Sequence, residues 1–244
     1  MKPAPHDGSN GTPHDHPYAG RTHRVYVALT NHCNRACPWC STYSSPAGNT
    51  WITWAQIAAS LPAAGNFDVQ LEGGEPTLHP HFGDFVARLR AEKRCRQLIL
   101  CTNGVAIPRR TARLRDWLAR LGEPLLVKLC INQYLMDHDA GLLHLAAEVQ
   151  SALQQLGGVR EVIYNVRLRR GYDNDDQVVL DAVRAAGLMP RANVFWLQRY
   201  GLAGNETAWD APHLAGENFR LVNPDGRMFG PDLIGRSESM VGLA

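Results

Sequence analysis

Cys33, Cys37 and Cys40 stand in the order CxxxCxxC, three thiols within eight residues. Thiolates are the usual ligands of iron–sulfur clusters, and a tight loop lets three of them wrap one small cube. A four-iron cube has four corners, so three cysteines leave one iron without a protein ligand. That open position suits a cluster that reacts with a bound molecule. A zinc site built from the three thiols and His32 would use the same donor types, but zinc ligands usually come as separated pairs. Here all three cysteines share one short stretch. Disulfides are disfavoured for such close thiols in a chain whose N-terminus lacks the apolar segment of an export signal.

Further groups recur at the ends of apolar runs. Leu71-Glu-Gly-Gly-Glu75-Pro76 closes the second run. Gly73 and Gly74 permit close backbone approach, and Pro76 fixes the exit. Cys101-Thr-Asn-Gly104 closes the third run and Asn132 the fourth. In the fifth, alternation puts Asn165, Arg167 and Arg169 on one face and Tyr164, Val166 and Leu168 on the other. A buried arginine needs an anion, so Arg167 calls for a ligand carboxylate, an acidic substrate group, or a salt bridge to Glu72 or Glu75. Cys101 and Cys130 end neighbouring runs; they read first as small core residues, with a thiol relay or substrate contact as the alternative.

The cysteine triplet after a first strand, the GGEP loop behind it and the Thr102-Asn103-Gly104 loop together resemble the radical S-adenosylmethionine (SAM) superfamily, over about residues 24–200. The resemblance implies a [4Fe–4S] cluster on Cys33, Cys37 and Cys40, with SAM chelating the unique iron. It implies reductive cleavage of SAM to methionine and a 5′-deoxyadenosyl radical, which abstracts hydrogen from a small-molecule or peptide substrate. It also implies SAM contacts: Trp39 near the adenine, Gly73, Gly74 and Glu75 at the amino group, and polar contacts from Asn103, Asn132, Asn165 and Arg167. A one-electron donor such as flavodoxin or ferredoxin is the expected partner. No acid or base residue is singled out. A glycyl-radical activating enzyme acting on a partner protein is one alternative reading. A non-catalytic iron–sulfur redox sensor is another; it would need the triplet but neither the GGEP loop nor a SAM pocket. No cysteine follows Cys130, which argues against a C-terminal module of auxiliary clusters.

These loops need a scaffold that brings strand ends together. Strands are expected at 24–30, 67–72, 97–101, 125–131, 161–169 and 191–197. Helices are expected at 53–63, 81–92, 109–121, 137–156 and 176–186. Strands alternating with helices imply a parallel sheet with right-handed crossovers. Six units over about 175 residues are too few for an eight-stranded barrel of about 250. The expected fold is therefore α/β, a partial (β/α)6 barrel with chemistry at the carboxyl ends of the strands. Residues 1–22, rich in Pro, Gly and His, read as a disordered arm, and 23–202 as the core. Residues 203–244 read as an extension with a hairpin turning at Asn223-Pro-Asp-Gly226. A net charge of +2 argues against a general nucleic-acid surface, and no apolar run approaches the length of a membrane span. A cytoplasmic location is the expectation.

Overall fold

The computed structural model describes residues 23–205 and 218–243. The expected arm at 1–22 and part of the C-terminal extension, 206–217, lie outside the described residues. Seven strands form one parallel sheet: β1 His23–Ala28, β2 Phe67–Glu72, β3 Cys95–Thr102, β4 Leu125–Ile131, β5 Arg160–Leu168, β6 Ala192–Trp196 and β7 Phe219–Val222. Their order is β6-β5-β4-β3-β2-β1-β7. Helices occupy the crossovers: α1 Trp54–Ser60, α2 Phe82–Ala91, α3 Thr111–Arg120, α4 Gln133–His138, α5 Leu142–Leu156 and α6 Asp173–Ala185, followed by α7 Leu233–Ser239 near the C-terminus. The sheet curls into a half-barrel, as expected from repeated βα units.

Period-two alternation sorts the strands into two faces. On β4, Leu125, Val127, Leu129 and Ile131 are fully buried, while Leu126, Lys128 and Cys130 take the opposite face. Tyr164, Val166 and Leu168 are buried on the helix side, and Tyr164 donates its hydroxyl to Ala146 O and to Gln150 on α5. The other face carries polar groups. Lys128 Nζ donates to Gln70 Oε1 at 2.7 Å, and Gln70 passes a hydrogen bond on to Glu72.

Three elements depart from the sequence-based expectation. The helix expected at 137–156 is two helices, α4 and α5, because the side chain of Asp139 turns back to the backbone N–H of Gly141. The helix expected at 53–63 ends at Ser60, ahead of Pro62. The turn at 223–226 is present, but its return arm is one bridge, Val222 to Met228, and its first arm is β7, a seventh strand. β7 pairs parallel with β1, Arg24 opposite Phe219 and Val27 opposite Val222. The extension is thus part of the half-barrel. Asn223, fully buried, ties it down by donating to Arg236 O and Ser239 Oγ. Among the described residues no helix is long and apolar enough to cross a membrane.

Candidate active site

The long connection between β1 and α1 holds the cysteine triplet, and its backbone is pinned from several sides. Thr30 Oγ1 donates to Thr50 O, and Asn31 Oδ1 accepts from Thr50 N, both at 2.8 Å. Cys33 N donates to Ser45 O, and Cys40 N to Cys37 O. The thiols have neighbours of their own. Asn103 Nδ2 lies 3.5 Å from Cys33 Sγ, and Ser44 N donates to Cys40 Sγ at 3.4 Å. Burial pushes the thiols of Cys33 and Cys37 up to about 12, so both are protonated at neutral pH until a metal displaces the proton.

The GGEP loop locks onto this connection. Gly74 N donates to Thr30 O at 2.7 Å and Glu75 N to His32 O at 2.9 Å. A β-carbon at Gly74 would stand 2.0 Å from His32 O, and one at Gly73, whose φ is +124°, would stand 2.5 Å from Thr30 O. These glycines therefore let two loops touch backbone to backbone. Gly74→Ala is expected to cost about 3 kcal/mol, the upper range of overpacking, because the obstacle is backbone. Urea unfolding of the purified protein measures it.

Glu75, expected at the amino group of a ligand, has a set of hydrogen-bond donors of its own. Its carboxylate is fully buried and accepts from Thr77 N, Thr77 Oγ1, Thr102 Oγ1 and Asn103 N. It braces the GGEP loop against the Thr102-Asn103-Gly104 loop, and its carboxylate has no place on the cavity wall.

A cavity of about 240 Å³ opens at the carboxyl ends of the strands. Cys33, Cys37, Cys40, Trp39, Gly73 and Gly74 line it, together with Asn103, Asn132 and Arg167. Asn165 does not: it accepts from Asn193 on β6 at 3.2 Å. Asn132 spends its side-chain oxygen capping α4 at Leu135 N, leaving its amide NH₂ for the cavity. Trp39 is nearly buried, with Nε1 unpartnered, under the guanidinium of Arg169 and edge-on to Tyr134.

Arg167 has neither of the carboxylates expected for it. Glu72 is taken by Arg236 Nη1 at 2.6 Å, and Glu75 is enclosed as described. Arg167 Nε is buried without a partner, and its guanidinium lies over Phe195. Burial works against the cation, but Cys130, Cys101, Tyr200 and Cys40 outweigh it and hold the pKa of Arg167 above its ordinary value.

Arg236, Tyr200 and Ser237 also line the cavity, and sequence reasoning missed them. They come from the segment after β6. Arg236 is 4% exposed, and one of its terminal nitrogens is buried without a partner. Neither local spacing nor periodicity signals that these residues return to the mouth.

The donor set fits an iron–sulfur cube. Three thiols line one cavity, the donor type such clusters use. His32, the fourth ligand of the zinc alternative, has Nδ1 3.0 Å from Gly48 O.

Known proteins resemble this arrangement. The model of the Radical SAM superfamily matches residues 27–124. The structure of Streptococcus suis SuiB bound to the precursor peptide SuiA superposes with a TM-score of 0.61 at 11% identity, covering 88% of this chain and 60% of SuiB. SuiB bound to S-adenosylmethionine gives a TM-score of 0.51 at 10% identity, covering 86% and 60%. The chain thus spans about three fifths of the length of SuiB. At such identity the superpositions speak for the fold alone. The stretch matched by the family model, Val27 through Pro124, holds the cysteine triplet and the GGEP loop, so this part of the chain is similar to the radical SAM superfamily.

Proposed function

We propose that the chain is a radical SAM enzyme that reductively cleaves SAM and abstracts hydrogen from a small-molecule or peptide substrate. The observation that carries this reading is the shared cavity: three thiols, a glycine backbone and an arginine whose Nε is buried without a partner line one space. When bound, the [4Fe–4S] cluster and SAM supply an electron and a 5′-deoxyadenosyl radical. Cys33, Cys37 and Cys40 hold the cluster. Arg167 takes the SAM carboxylate, which its unpartnered Nε and the engagement of Glu72 and Glu75 elsewhere favour. The Gly73–Gly74 backbone meets the amino group, Trp39 faces the adenine, and the amides of Asn103 and Asn132 add polar contacts. Arg236 and Tyr200 close the mouth from the C-terminal side and exclude water. The likeness to SuiB in complex with a precursor peptide favours a peptide over a metabolite as substrate. An external one-electron donor, such as flavodoxin or ferredoxin, reduces the cluster.

The test is anaerobic reconstitution with iron and sulfide, then SAM and dithionite, with 5′-deoxyadenosine as the readout. Its formation supports the reading. An intact cluster that yields no 5′-deoxyadenosine, even with dithionite in excess and candidate peptides added, counts against it.

Arg167→Met is expected to weaken SAM binding roughly 10- to 100-fold, the worth of a charged hydrogen bond. Equilibrium dialysis against the reconstituted protein measures this. Unchanged affinity would leave the SAM carboxylate to another cation.

A further inference from the structure

A second pair of sulfurs faces the same cavity. Cys101 on β3 and Cys130 on β4 bring their Sγ atoms to 3.9 Å, and both line the space that the triplet lines. Both are partly exposed to it, so small reagents reach them. They lie on neighbouring strands, and the register pairs Cys101 with Lys128 and Asn165 with Cys130. The two cysteines are therefore diagonal neighbours, two residues out of step.

We propose that Cys101 and Cys130 form a redox-active dithiol that closes reversibly to a disulfide inside the cavity. A disulfide bond is about 2.05 Å long, so the sulfurs must close by about 2 Å. Side-chain rotation supplies part of this, and the diagonal placement supplies strain. A strained, accessible disulfide is easily reduced, so it serves as a couple and not as a staple. The pair is also unequal. Either sulfur can be the donor across this contact; with Cys101 donating, the bond and the nearby Arg167 lower the Cys130 pKa against burial, and the same bond together with burial raises that of Cys101. In that arrangement Cys130 is the attacking sulfur.

Oxidised glutathione is a suitable oxidant. The Cys130 thiolate attacks one of its sulfurs, breaking the glutathione S–S bond and releasing one glutathione thiolate. Cys101 loses its proton and attacks the mixed disulfide at Cys130, releasing the second. Two protein thiols are oxidised and one disulfide is reduced to two glutathione molecules. A small dithiol runs the exchange backwards. Open, the pair offers two S–H groups to whatever occupies the cavity; closed, it offers none.

The experiment uses the full-length protein, equilibrated without oxygen in glutathione buffers of graded oxidised-to-reduced ratio, acid-quenched, alkylated and digested with trypsin. Cys101 falls in the peptide 97–109 and Cys130 in 129–160, each without another cysteine. A disulfide-linked product of these two peptides should rise with the oxidised fraction and vanish on adding dithiothreitol. In Cys130→Ser the link should be lost. Free thiols, or separate glutathione adducts on Cys101 and Cys130 at every ratio, would overturn the proposal. So would a link that resists dithiothreitol. Because the readout needs neither cluster nor SAM, it stands or falls independently of 5′-deoxyadenosine formation.

Discussion

Alanine at Cys33, Cys37 or Cys40 is expected to remove the iron–sulfur absorbance of the reconstituted protein and to reduce 5′-deoxyadenosine to background. A cube on three thiols has no ligand to spare, and no other cysteine stands in the same loop. Cys101 and Cys130 lie on the cavity wall at β3 and β4, held by strand register instead of by the loop. Cys95 starts β3, with its thiol donating to Gln97 O. Cys95→Ser should therefore keep both absorbance and product. The loop is fixed by backbone bonds such as Cys33 N to Ser45 O, which survive the side-chain change. Far-UV circular dichroism of the three alanine variants should accordingly match the parent. Full SAM cleavage by any one of them would end the proposed mechanism.

The triplet was legible because its three donors are contiguous, and the GGEP loop because Gly73 and Gly74 answer a local steric demand. Strands β1 to β6 were legible from alternation, which decides which face each side chain takes. β7 was not: four residues, Phe219–Val222, are strand because they lie beside β1, and that contact spans nearly the whole chain. Arg236 was hidden for the same reason, since nothing near it in sequence announces Glu72. Asn132 and Asn165 show a different limit. Each is a polar residue in or just after a strand, and sequence assigns both a ligand contact. The structure gives the oxygen of Asn132 to the start of α4 and that of Asn165 to Asn193. Short amides satisfy local backbone and neighbours as readily as they serve a ligand. Glu75 is the strongest case, because its four donors come from two loops that a linear motif cannot show to be adjacent.

That enclosure makes Glu75 the residue whose loss should loosen the site most without touching the cavity wall. Glu75→Ala strands Asn103 N and Thr77 N without their acceptor, and a buried unsatisfied donor costs about 1–3 kcal/mol. A loss of about 3 kcal/mol is expected in urea unfolding, because both donors are affected. Glu75→Gln keeps an oxygen for three of the four donors but turns an NH₂ toward Asn103 N, so about 2 kcal/mol is expected. The injury should reach the cluster through Asn103, whose side chain lies against Cys33 Sγ and Asn34. Both variants should retain less iron after reconstitution, and Ala less than Gln. The pH dependence supplies a further check. Burial raises the pKa of Glu75 above 4.5, against the pull of its hydrogen bonds. The folded protein then binds this proton more tightly than the unfolded chain, so the stability linked to Glu75 falls as pH rises from about 4.5 through the folded value. Glu75→Gln cannot titrate and lacks that component. The stability gap between parent and Glu75→Gln should therefore narrow as pH is raised through that window. A gap that widens instead would mean that the four hydrogen bonds outweigh burial and that Glu75 is held as a carboxylate.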